Sequence, residues 1–127
     1  MLQDFVLPET TIREAGTGPT MDLGSSRGAV ILVTLGITRI IEQESLDVSI
    51  WGSADNVEWG AKPVLAFPQK FYCGTYQILM DLREHSEIRH VRAKYQAQRW
   101  GKGDLKPLFG AYVFAQQVEQ QVLSMTA

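Results

Sequence analysis

The sequence predicts an all-β chain folded as one antiparallel β-sandwich domain, of jelly-roll or galactose-binding-like type. Stretches rich in β-branched and aromatic residues recur between turn residues at roughly 8–12 residue intervals, the spacing of sandwiches and barrels. No segment carries the sustained apolar periodicity of a long helix. A chain of 127 residues, 45% hydrophobic and 20% charged, suits one core, so residues 1–127 read as a single domain.

Taken in order, the region up to residue 26 combines a strand-like TTI at 10–12 with turn chemistry in GTGP at 16–19 and GSS at 24–26, which predicts an edge strand and loops. AVILVTL at 29–35 is apolar on both parities, the mark of a strand covered on both faces. Residues 46–50 alternate, placing Leu46, Val48 and Ile50 inward and Asp47, Ser49 and Trp51 outward, and a hairpin with the preceding strand is expected. Asp55 and Asn56 suit a tight turn because both tolerate positive φ. Short strands are expected at 63–67, bounded by prolines, and at 75–82, followed by a polar connection at 82–88.

Residues 88–98 alternate as well, with Val91, Ala93, Tyr95 and Ala97 on one face and His90, Arg92, Lys94, Gln96 and Gln98 on the other. After the glycine-flanked loop at 100–103, LFGAYVFA at 108–115 predicts a second strand that is apolar on both faces. Residues 116–127 are expected to form a short helix or a flexible tail.

Composition narrows the function classes. A formal net charge of −2 disfavours nucleic acid as a partner, since proteins that track phosphates carry a basic excess. Cys73 is the one cysteine, so no internal disulfide is expected, and a small buried hydrophobe is its expected role. The first eight residues do not read as a signal peptide. The longest apolar run falls far short of the about 20 residues of a membrane helix. The expected location is therefore cytoplasmic, or particle-associated after cytoplasmic synthesis, with no membrane partner.

The segment SLDVSIWGSADNVEW at 45–59 resembles a strand-turn motif, Ser-x-Asp-Gly-x-x-Trp, found in two groups of β-sandwich proteins. Discoidin-like, galactose-binding-type sandwiches are one, with a later strand similar to IRHVR at 88–92. Small phage and prophage structural proteins are the other. Their order of features is similar to this chain over nearly its full length, through Glu9, Asp22, residues 31–35, Trp59, Arg92 and Phe109. The chain departs from the pattern at Asn56, where Gly is usual, and Asn still suits a left-handed position. The resemblance implies fold more than function, and no binding site is carried over from it.

Candidate sites are few. His85 and His90 have no second His or Cys at ligand spacing, and no nucleophile occupies a Gly-x-Ser-x-Gly turn. Neither catalysis, nor a metal, nor a cofactor is expected. Ser53, Asp55 and Asn56 are read as capping their own turn rather than binding calcium. The basic set Arg83, Arg89, Arg92, Lys94, Arg99, Lys102 and Lys106 reads as a solvated strand face that discourages edge pairing, with a nucleic-acid or anionic-glycan surface as the alternative. Trp51, Trp59, Trp100, Arg92 and Lys94 are the candidate interface or ligand surface. An outward Trp51 and two strands apolar on both faces call for cover that a two-layer sandwich supplies on one side only. The sequence thus points to a non-enzymatic structural protein forming homo-oligomers, phage-like or prophage-derived, with a carbohydrate-binding module as the alternative and a glycan as its partner.

Overall fold

Alternation of apolar and polar residues, period two, governs nearly every element of the chain. The computed structural model describes residues 2–100 and 106–118. Its strands are β1 (Gln3–Ile12), β2 (Gly16–Thr17), β3 (Met21–Asp22), β4 (Val30–Ile40), β5 (Glu44–Ser53), β6 (Leu65–Ala66), β7 (Gly74–Asp81), β8 (His90–Arg99) and β9 (Phe109–Gln117), with a single 3-10 turn at Gly24–Ser26.

The strands form two antiparallel sheets packed face to face. One has the order β1-β9-β4-β7, and the other runs β2-β8-β5-β6 with β3 also paired to β8. β2 lies opposite Tyr95 and Lys94, and β3 opposite Val91 and His90, so the two pieces act as one interrupted strand along β8. Counted that way, the connectivity is that of an eight-stranded jelly roll.

The inner faces make one core. β4 contributes Ile31, Val33 and Leu35, and β9 contributes Phe109, Ala111 and Val113; facing them are Leu46, Val48 and Ile50 of β5 with Val91 and Ala93 of β8, all essentially inaccessible. Each large aliphatic or aromatic side chain buried this way contributes about 1.5–3 kcal/mol. The alternation read for residues 46–50 and 88–98 therefore sets which residues face inward.

Three expectations are corrected. β4 and β5 do not form a hairpin. They lie in opposite sheets, and β5 pairs with β8 from Glu44↔Arg99 to Ser53↔His90 and with β6. The chain turns a corner at residues 41–43, where Gln43 has φ 61° and the Glu44 carboxylate accepts the Ile41 N–H at 2.8 Å. Cys73 is exposed rather than buried, because it sits in the loop before β7 and not on a strand face. At the chain's far end, Gln116 and Gln117 continue β9 in extended form, paired with Leu32 and Ile31, instead of starting a helix or tail; residues 119–127 lie outside the described residues.

Pro8 is accommodated inside β1 because β1 is an edge strand, and its ladder with β9 shifts register between Phe5 and Leu7 and again between Leu7 and Thr10.

Candidate functional site

The outward side chains of β5 and β8 assemble four of the five candidate residues on one sheet face. Trp51 lies opposite Arg92, and Ser49 opposite Lys94. The Lys94 ammonium rests 4.0 Å from the centroid of the Trp51 ring, and the Arg92 guanidinium carbon 4.1 Å from that of Trp59. Trp59 reaches this face because the turn after β5 folds back over it. The result is a row in which indoles and cations alternate, each cation attracted to the face of a ring. The Trp51 Nε1–H donates to Ser49 Oγ at 2.9 Å, which fixes the orientation of the indole. Trp51 is thus half-buried within its own chain, and the apolar exposure anticipated for it is covered by the Lys94 side chain.

Beside this row lies a groove of about 500 Å³ lined by Thr17, Asp47, Ser49, Trp51, Lys94 and Gln96, among others. The alternation of β5 and β8 already places Asp47, Ser49 and Gln96 outward; Thr17 could not be anticipated, since its position depends on pairing with Lys94 across the sheet.

Trp100 stands apart from the row. It is 56% exposed and packs edge-on against Phe71 at 6.3 Å, beside Tyr72, at the end of β8. Of the other basic residues, Arg83 is bound to Asp81 at 2.7 Å, and Lys102 lies outside the described residues.

The opposite outer face, on the four-stranded sheet, carries an aromatic and aliphatic patch, with Gln77 bonded to Thr34 beside it. Phe5 packs edge-on against Phe114 at 5.0 Å and against Tyr112 at 5.9 Å. Register aligns Phe5, Phe114 and Thr34 across three strands and Leu32 with Leu79 across two. Tyr112 lies over Gly36, where a Cβ would overlap its ring. Phe5 is 45% and Leu79 51% exposed. The two-sided apolarity of β4 and β9 therefore has a physical counterpart, with one side in the core and the other open. Sequence reasoning missed Phe5, because Pro8 hides the strand to which it belongs.

The turn after β5 is held by its own side chains. Ser53 Oγ accepts the Asn56 N–H at 2.9 Å, while Asp55 Oδ1 accepts the N–H groups of Val57 at 2.9 Å and Glu58 at 2.8 Å. Asn56 adopts φ 63°, the left-handed position its residue type permits. These backbone donors, Glu58 first and Val57 next, hold the Asp55 carboxyl below its ordinary value. His85 is exposed, its Nδ1 3.4 Å from Glu87, and His90 lies on the outer side of β8. Among the described residues no three His, Cys, Asp or Glu side chains are grouped to hold a metal ion, and no helix is long and apolar enough to cross a membrane.

Comparison with known proteins returns no matching family and no similar curated protein.

Proposed function

We propose that the chain is a non-enzymatic structural subunit that assembles with copies of itself through the outer face of its four-stranded sheet, within a phage-like or prophage-derived particle. The observation that carries this reading is the open aromatic face built from Phe5, Tyr112 and Phe114. Phe5, Leu32, Thr34, Leu79, Tyr112 and Phe114 bear no formal charge. Interface centres are depleted of charge and enriched in aromatic residues in this way. A nucleic acid would need cationic groups, which these positions lack. A second copy presents the same aromatic patch, edged by Glu9, and closed two-fold pairing of identical patches is the commonest form of assembly. The similarity of motif order to small phage structural proteins supplies the particle context.

Light scattering on the purified chain across micromolar concentrations tests the reading. The expected mass is a multiple of 14.2 kDa, falling to the monomer in Phe5→Glu with an unchanged circular dichroism spectrum. A monomer at every concentration for the unsubstituted chain would overturn the proposal. Adjacent capsid or tail genes in the source genome would support the particle context.

A further inference from the structure

The groove on the five-stranded sheet, on the side of the molecule away from the aromatic face, has a chemistry of its own. We infer that it binds a saccharide bearing a carboxylate, with Lys94 meeting the acid and Trp51 the sugar ring.

The cations come first. Most other bases of the basic set have carboxylate neighbours in sequence or in space, as Arg83 has Asp81. Among the described residues, however, Arg92 and Lys94 have neither an ion-pair partner nor a hydrogen-bond acceptor, and the Arg92 Nε is buried with no partner at all. Stacking on indoles is all that holds them. A cation on an aromatic face at a partly exposed site is held less strongly than one in a charge-assisted hydrogen bond. A carboxylate arriving in the groove can therefore draw the Lys94 ammonium off the Trp51 ring. That movement uncovers the indole face, which the hydrogen bond to Ser49 keeps in place, and the apolar C–H face of a sugar can then lie on it.

The remaining lining fits hydroxyl groups. Ser49 and Thr17 offer hydroxyls, Gln96 an amide, and Asp47 a carboxylate that already accepts from Gln69 Nε2 at 3.2 Å. A few placed polar groups around an aromatic floor are the usual composition of a small-molecule site. Arg92 precedes Lys94 by two residues on the same strand face, about 7 Å along, so a second acidic unit of one oligosaccharide can be met there.

The test is a titration of the whole chain with trisaccharides of galacturonate, glucuronate and sialic acid, each beside its methyl ester, followed by the Trp51 indole N–H resonance. At least one acid is expected to move that resonance, its ester to bind at least tenfold more weakly, and Lys94→Gln to lose the difference between them. Trp100→Phe, far from the groove, should leave affinity unchanged. Equal binding of acid and ester would overturn the inference, as would no binding of any acid at millimolar concentration, or binding of a dT12 oligonucleotide in place of the sugars. Because the groove and the aromatic face lie on opposite sheets, Phe5→Glu should bind the acid normally, which separates failure of this inference from failure of the assembly proposal.

Discussion

Glu44 begins β5 with a carboxylate only 1% exposed, a position where an unpartnered charge would be strongly destabilising. Its two oxygens accept the N–H groups of Ile41 and Leu108, both at 2.8 Å. One side chain therefore ties the corner between the sheets to the approach to β9, 64 residues further along. Replacing Glu44 with Ala leaves two enclosed N–H donors without acceptors and opens a small cavity. The expected loss is about 2–4 kcal/mol of folding stability, read as a lower urea midpoint at unchanged slope; a loss under about 0.5 kcal/mol would show that the two bonds are dispensable. Nothing in the local sequence marks Glu44 as buried, because the neighbours that enclose it come from the other end of the chain. Cys73 misleads in the opposite sense: residue type suggests burial, but position in a loop decides.

Elements were legible where their own side chains settle the answer. β5 and β8 alternate cleanly, so their inner and outer faces, and with them the groove floor at Asp47, Ser49, Trp51, Lys94 and Gln96, follow from the sequence. β2, β3 and β6 are two residues each and exist because a neighbour offers a free edge, which no local pattern records. The pairing of β5 was misread because adjacent strands pair by default, whereas the corner at residues 41–43 carries the chain into the other sheet.

The turn that follows β5 was legible from Asp55 and Asn56, and it makes a prediction about acid. The folded chain holds the Asp55 carboxyl below its ordinary value. The stabilisation it gives is therefore complete above that value and is lost as pH falls through the depressed one. The stability difference between the unsubstituted chain and Asp55→Ala, measured by urea denaturation from pH 7 to pH 2, should shrink at the acid end. A difference constant over that range would rule out the charged carboxylate as its source. Asp81, held down to about 2 chiefly by its hydrogen bond from Arg83, loses its charge only at the acid end of that range; its exposure to solvent and salt makes it a minor contributor.

At the scale of the whole molecule, the two outer faces differ in kind. The four-stranded sheet turns an aromatic and aliphatic patch outward, and the five-stranded sheet turns out cations, indoles and hydroxyls. Only the first has reason to be covered permanently. If copies of the chain cover it, folding and association are linked, and the melting temperature must rise with protein concentration. A rise of several degrees between 1 and 100 micromolar is expected for the unsubstituted chain and none for Phe5→Glu. Identical concentration dependence in both would place any self-association elsewhere on the surface. The jelly-roll connectivity was foreseen as a class, but the choice of which apolar face stays open depends on the order of strands in each sheet, which is a property of the assembled fold.

That order has a consequence for synthesis. β9 lies between β1 and β4, so a central strand of the four-stranded sheet leaves the ribosome after every other described strand. Until it arrives, β1 has no neighbour in its sheet, and β4 has only β7. Val6, Leu7 and Ile12 wait unpaired until residues 109–117 are made, and Gln3 finally meets Gln116 when the other described strands are already in place. The nascent chain therefore carries an open slot of the width of one strand, and any other extended apolar segment that reaches the slot before residues 109–117 do is a competitor for it.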